Sequence, residues 1–334
     1  MITSVTVTDC KHAAIILRAL AGPRNLMPVL KWVRIDGTGL SAHRLDYQAH
    51  VGTVVVSSAP IVVHPQDLLS ILPSTGPTTL RVDERRLVCE TGSSCDLQDI
   101  HDLPKDLVCD ADAAAAGPAW IGQIRLLRWV AHAMSNDTAR DGLCGVHINA
   151  GVITATDRHR LHATQPPTSP LTYAAGPLID GAATKMFLAL APKSGDVTIT
   201  AGVNTVALRC GGVEVVATIN SERPFPRVDA VYRGPDSDAA TVSLANVALR
   251  GAWELSITDG RATARQKADG IVKSVSLTAT DVAGKATIEV LGRYLSEAVA
   301  GAACRVGVGG PREPIRVDRA DGACALVMPQ RPRD

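Results

Sequence analysis

Residues 143–164 read LCGVHINAGVITATDRHRLHAT. Val146 and Ile148 alternate with His147 and Asn149, Asn149-Ala150-Gly151 supplies a turn, and Val152, Ile153 and Ala155 carry a return strand. The strand runs into Thr156-Asp157-Arg158-His159-Arg160, five polar residues closed by Leu161. An exposed loop rarely holds that mix, and a core strand does not carry five polar residues in a row. The stretch predicts a hairpin that delivers a dense set of hydrogen-bonding groups to one place.

The hairpin recurs. Val33-Arg34-Ile35-Asp36-Gly37 leads into Leu40-Ser41-Ala42, and Trp253 to Gly260 leads into Ala262-Thr263-Ala264. The copies lie roughly 110 residues apart, too long a period for a solenoid. Short helices are expected at 65–72, 182–190 and 292–300. Alternating strands are expected after them, at 79–82, 197–200 and 315–317. The chain therefore divides into three tandem α+β units, 1–114, 115–234 and 235–334, with linkers at 111–118 and 233–238. In the first, Asp9 caps a helix running through Lys11, Ile16, Leu17 and Leu20 to Gly22. In the second, a helix is expected from about Ile121 to Ser135. There Ile124, Leu127, Ala131 and Met134 form an apolar stripe, with Arg125, Arg128 and His132 beside it. The third unit is abbreviated at its start. Either 243–250 is a short helix before the Trp253 hairpin, or the helix continues through Leu255 and a strand is lost. The Thr258-Asp259-Gly260 turn favours the first.

The chain's 334 residues suit two or three domains. Hydrophobic residues make up 46% and aromatics 3%, so the cores must be aliphatic, which suits β-rich layers. Lys+Arg 34 against Asp+Glu 33 leaves a net charge of +1, so nucleic-acid binding depends on how charge is distributed. The eight cysteines, at 10, 89, 95, 109, 144, 210, 304 and 324, form no C-x-x-C pair. Buried reduced thiols of a cytoplasmic protein are expected. Asp9, Lys11 and His12 interrupt any signal peptide, and no apolar run approaches the ~20 residues that span a bilayer.

Catalytic signatures are missing from the sequence. No H-E-x-x-H, G-x-x-x-x-G-K-[ST], G-x-S-x-G or G-x-G-x-x-G occurs, and the GVGG run at 307–310 has no phosphate-loop Lys. His159 and His162, on a strand, point to opposite faces and cannot share a metal. Asp157 and His159 could form an acid/base pair of a metal-dependent hydrolase, but no nucleophile is marked beside them. The expectation is a protein without catalysis, cofactor or metal.

A family resemblance rests on four segments in order. ATDRHRLHAT at 155–164 resembles the ATD-G-HRLA signature of bacterial sliding clamps, the beta subunit of the replicative DNA polymerase. Arg223-Pro224-Phe225-Pro226 followed by Val231 resembles the family's linker, Arg293-Tyr294-Leu295 its last helix, and Leu326 to Arg331 its terminal V-V-M-P-M-R. The resemblance implies three clamp-type domains, each two helices packed on antiparallel sheet, in a head-to-tail homodimeric ring around duplex DNA. It implies a processivity factor that tethers the DNA polymerase and the clamp loader through their short linear motifs. A diverged clamp paralogue that binds partners outside general replication is the alternative.

The resemblance also implies a peptide-binding pocket at Leu143, Thr156, His159, Arg160, Leu161, Pro226, Val231, Tyr294, Ile315, Leu326, Val327, Met328, Pro329 and Arg331. Aliphatic and Met side chains would form an adaptable apolar cleft, and Arg and backbone groups would orient the peptide. Leu143 and Val327, taken alone, would be plain core. Cationic positions on equivalent helices of two units predict a DNA track: Lys11, Arg18 and Arg24, then Arg125, Arg128, His132, Arg140 and Lys185. Without interleaved aromatics or a reading helix, the contact would be to phosphates and independent of base sequence. Four features depart from the family: Arg158 where a small residue is usual, Ala230 where Arg is frequent, a longer, more basic tail, and a more polar segment at 95–101, which would meet the partner subunit.

Overall fold

A computed structural model describes residues 4–20, 32–43, 47–52, 55–98, 118–165, 176–219, 225, 226, 228, 240–244, 247–258, 260–268, 271–277 and 279–330. The chain forms two compact units, Met1–Ile124 with Ile179–Asn220, and Arg125–Leu178 with Ser221–Asp334. The boundaries expected at 114/115 and 234/235 lie outside the described residues.

In the first unit one antiparallel sheet of thirteen strands runs from Pro118–Gln123 at one end to Val55–Ser57 at the other. Its middle is the pairing of Val213–Thr218 with Tyr47–Gly52, in the register Val215 to Ala49, so the first two sequence repeats share a single ladder. Alternation explains the strands: Tyr47, Ala49 and Val51 are buried while Gln48 and His50 between them are half-buried. Among the described residues three helices accompany the sheet: α1 (Cys10–Leu20), α2 (Pro65–Ile71) and, later in the chain, Gly181–Leu190. Asp9 caps α1 as expected, its Oδ1 accepting from His12 N–H at 3.0 Å. Asp180 does the same for Gly181–Leu190, accepting from Ala182 N–H at 2.7 Å.

The second unit contains α3 (Ile124–Ala131, of which Ile124 falls in the first unit), and a sheet ordered Gly145–Asn149, Val152–Thr156, Arg160–Ala163, Cys324–Val327, Ile315–Arg319, Cys304–Val308, Ala240–Leu244 and Ala279–Ala283. A four-stranded sheet pairs Ile271–Ser276, Arg261–Ala268, Ala252–Thr258 and Ala286–Leu291. With Gly181–Leu190 as α4, the last helix is α5 (Gly292–Val299). The expected hairpin forms on Ala150 (φ 46°) and Gly151 (φ 77°), a two-residue turn with positive φ at both positions.

Three expectations are corrected. The helix expected from Ile121 begins at Ile124, because Trp120 to Gln123 pair with Ile199 to Asp196 as an edge strand. Its last turn tightens, with Ala133 N–H on Val130 O and Met134 N–H on Ala131 O. No helix opens the third repeat among the described residues. Ala240–Leu244 is a strand paired on both sides, with Val242 and Leu244 buried, and Leu249 N–H is held instead by Ser296 Oγ at 2.8 Å. After α5, Cys304–Val308 intervenes before the strand expected at 315–317.

A stack of three side chains joins α3, α5 and the sheet of the second unit. His162 lies flat on Trp129, ring centroids 4.2 Å apart, and the Arg319 guanidinium lies 4.4 Å from the same indole. Trp129 Nε1 donates to Glu297 O at 3.0 Å, and Arg319 is paired with Asp321 at 2.8 Å. His162 is fully buried with Nδ1 2.8 Å from Trp129 O, so Nδ1 carries the proton and Nε2 is left bare. Burial, reinforced by Arg160, His132 and Arg319, pushes the imidazole down to about 3 in spite of that hydrogen bond. Unfolding releases the ring to bind a proton near 6.5. Stability is therefore complete above that pH and is lost as pH falls, by up to about 1.4 kcal/mol per pH unit. Urea midpoints measured between about pH 6.5 and 5.5, above the ordinary carboxylate range, should fall steadily, and His162→Leu should flatten the profile while lowering overall stability.

Candidate peptide-binding site around Arg160

The polar run 156–160 forms a closed turn. Thr156 Oγ1 donates to Arg160 O at 2.7 Å and accepts from Arg158 N–H at 3.2 Å. Asp157 Oδ1 accepts from the N–H groups of His159 and Arg160, each at 3.0 Å. The side chains of Thr156 and Asp157 are thus spent on the backbone of the turn itself, which is how the polar run can interrupt a buried strand.

Arg160 is the centre. Its side chain is only 8% exposed, and its Nε meets Asp157 Oδ2 at 3.1 Å. Its Nη1 is paired with Glu297 on α5, and its Nη2 donates to the carbonyl of His132 just beyond α3. The guanidinium carbon lies 4.6 Å from the Tyr294 ring centroid, and His159 stacks on that ring at 6.1 Å. Arg293 covers the same ring at 5.0 Å. Burial pulls the Arg160 pKa down and Asp157 and Tyr294 oppose it, so the group stays cationic. The terminal segment is tied to the turn: Met328 N–H donates to His159 O at 2.8 Å, and Arg160 pairs with Val327 across the ladder.

The opposite face of the same strand carries Leu161 and Ala163. They cluster with Val152, Leu178, Cys324, Leu326, Phe225 and Val228. Phe225 stacks on His147 at 4.6 Å. Arg160 and Leu161, adjacent in sequence, thus supply a polar anchor on one side and an apolar cluster on the other.

Of the expected pocket residues, Thr156, His159, Arg160, Tyr294 and Met328 meet at this turn, and Leu161 and Leu326 meet in the apolar cluster. Met328 and Pro329 are half-buried and Pro226, beside Phe225, is exposed. Ile315 and Val327 are both fully buried and paired with each other across the ladder. Leu143 is likewise buried, with its carbonyl on Ser135 N–H. Val231 and Arg331 lie outside the described residues. Glu297, Trp129 and Phe225 went unrecognised as site residues. The signal for Glu297 was the Arg293-to-Glu297 spacing on one helix beside an arginine that a strand had to bury.

Among the expected DNA-binding residues, Lys11 and Arg18 are exposed on one face of α1, Lys185 is exposed on α4 and Arg125 on α3. Arg128 is half-buried, contrary to the expected open stripe. Burial and the nearby Arg160 lower the His132 pKa, so at neutral pH its ring adds no charge. Arg140 faces Asp137 at 3.5 Å, and Arg24 lies outside the described residues. Among the described residues no group of three or more His, Cys, Asp or Glu is placed to hold a metal, and no helix is long and apolar enough to cross a membrane.

This arrangement of repeats, shared ladders and terminal segment has counterparts among solved structures. A DnaN sliding clamp (DNA polymerase III subunit beta) from Bartonella birtlesii, bound to griselimycin, matches 99% of this chain and 100% of its own, with a TM-score of 0.73 and 20% identity. The beta subunit from DNA polymerase of Streptococcus pyogenes matches 98% of this chain and 100% of its own at a TM-score of 0.72 and 17% identity. The beta subunit of DNA polymerase III from Thermotoga maritima gives 99%, 100%, 0.71 and 17%. The chain has the bacterial sliding-clamp fold. No protein-family model and no curated protein sequence matches it.

Removing Arg160 would leave Asp157, Glu297 and the His132 carbonyl without their shared donor. Arg160→Ala should destabilise the protein by about 3–5 kcal/mol, the cost of an orphaned buried ion partner. Adding Glu297→Ala should recover part of that loss in a double-mutant cycle of urea midpoints. A loss of less than about 1 kcal/mol would mean that the network is ornamental.

Proposed function

We propose that this chain is a DNA sliding clamp: a head-to-tail homodimer that encloses duplex DNA, has no catalysis of its own, and tethers a DNA polymerase and a clamp loader in the cytoplasm. Each chain would supply three clamp domains, near 1–114, 115–234 and 235–334. The observation that carries this is the correspondence of fold over the full length of both chains, together with the turn at Arg160, where residues singled out through the clamp resemblance converge.

Partner motifs would dock beside this turn. Phe225, Leu161 and Leu326 would provide the apolar floor on one face of the strand and Met328 and Pro329 an adaptable half-buried edge, while Arg160 with Tyr294, on the other face, would hold the turn in place. DNA contact would be to phosphates, from Lys11, Arg18, Lys185 and Arg125. A ring holds DNA by enclosure, so a net charge of +1 is sufficient. Support for self-association comes from the Ile271–Ser276 strand, which ends its sheet and exposes Val272 to 60% and Val275 to 43%. Six domains from two copies would close a cyclic assembly.

Two measurements test this. Sedimentation equilibrium at micromolar protein should give twice the 35.0 kDa chain mass. A strict monomer would favour the diverged-paralogue reading. Calorimetric titration with a peptide carrying one Gln and several large apolar residues should show binding that deletion of residues 328–334 abolishes without dissociating the dimer. Equal affinity in both proteins would refute the pocket.

A further inference from the structure

Cys89 ends the strand Arg86–Cys89 and opens a turn. Glu90 to Ser93 in that turn are all exposed, yet Cys89 itself is 3% exposed. The turn folds back on it: Cys89 N–H donates to Ser93 O at 2.8 Å, and Gly92 N–H donates to Cys89 O at 2.9 Å. Its sulfur lies 3.9 Å from Thr78 Oγ1 on the neighbouring strand. Burial raises the thiol pKa, but the N–H and hydroxyl of Thr91, the Thr78 hydroxyl and Glu90 N–H outweigh it and hold the group below the usual thiol value. Donors gathered around one sulfur in this way favour the thiolate.

A second thiol is brought to the same place. Val5, Leu80 and Cys89 form one cross-strand row on the buried face of the sheet. The strand that carries Val5 ends at Val7, and Cys10, the first residue of α1, follows closely. Cys10 N–H donates to Gly76 O at 3.0 Å, just ahead of the strand Thr78–Asp83 whose Thr78 touches Cys89. Cys10 is fully buried. Burial, the nearby Cys89 sulfur and Asp9 all push its pKa up, so it keeps its proton. One sulfur is thus prepared as a nucleophile and the other as its protonated neighbour. Elsewhere burial pushes Cys95 up to about 12 and Cys304 up to about 11, which leaves both as unreactive thiols.

We propose that Cys89 and Cys10 are a peroxide-responsive pair, in which hydrogen peroxide oxidises Cys89 and Cys10 resolves it as a disulfide within the chain. The inference is independent of the clamp reading. The Cys89 thiolate attacks one peroxide oxygen, the O–O bond breaks, and the departing hydroxide takes a proton to become water. Cys10 then attacks the sulfenic sulfur, the S–O bond breaks, and the hydroxyl leaves as water with the Cys10 proton. Two thiols are oxidised to one disulfide and the peroxide is reduced to water. The link ties the start of α1 to the Cys89 turn, and a thiol reductant reverses it. Peroxide is small enough to pass the exposed turn above a sulfur that bulkier reagents reach slowly.

The test uses the full chain, reduced, freed of reductant and treated with hydrogen peroxide before denaturation. The free-thiol titre should fall from eight to six per chain, and dithiothreitol should restore it. Mass spectrometry of an unreduced digest should show one linked peptide pair, joining Cys10 to Cys89, and the urea midpoint should rise because the link closes a long loop. Cys10→Ser should stop at a sulfenic acid on Cys89, captured by dimedone, and Cys89→Ser should keep all its thiols under the same treatment. A reduced-state urea midpoint near wild type shows that each variant is folded, and the wild-type peptide map decides where one is not. A titre that stays at eight after a free-cysteine control peptide is fully oxidised, a link between other cysteines, or the same loss of thiols in folded Cys89→Ser would overturn the inference.

Discussion

The Arg160 guanidinium holds together four pieces of chain that are far apart in sequence. One end of α3 offers a carbonyl, the 156–160 turn offers Asp157, α5 offers Glu297 and the Tyr294 face, and the terminal strand pairs with its backbone. Such a buried charge is tolerable only when every donor is used, and here the ions and carbonyl converge on it. The consequence extends beyond the residue. With the turn fixed, His159 O is fixed, and Met328 N–H docks on it. The tail's position thus depends on a strand more than 160 residues earlier.

Beneath this network the aromatic content is low but concentrated. Trp129 is sandwiched by His162 and Arg319, and Phe225 by the apolar cluster and His147. Aliphatic strands fill the rest. A few polarisable rings thus sit at junctions, and Val, Leu, Ile and Ala fill the ladders.

Much of this was legible in the sequence. The hairpins could be read because alternation and turn residues are local signals, and Asn149-Ala150-Gly151 folds as read. The Asp9 cap was equally local. The helix at 121–135 was overread because the stripe from Ile124 to Met134 carries no local signal for where the helix begins, while the pairing of Trp120 to Gln123 with residues 196–199, more than 70 positions away, is invisible locally. In the third repeat Ala240–Leu244 alternates strictly and forms a strand paired on both sides, so the helix expected from Ser243 does not start there. At the site, motif resemblance singled out Arg160, Tyr294 and Met328, which the structure brings to one turn, together with Ile315 and Val327, which are fully buried. Glu297 and Trp129 carry no motif, and only a three-dimensional charge balance reveals them.

The central claim is that two copies enclose DNA. Protein incubated at high concentration with nicked circular plasmid, so that ring opening samples the DNA, can be separated from free protein by gel filtration at about 0.5 M salt, where phosphate contacts alone are largely screened. The account predicts retention on the circular plasmid and release after a single restriction cut lets the protein slide off an end. Equal retention on circular and linear DNA would contradict enclosure and leave only surface binding.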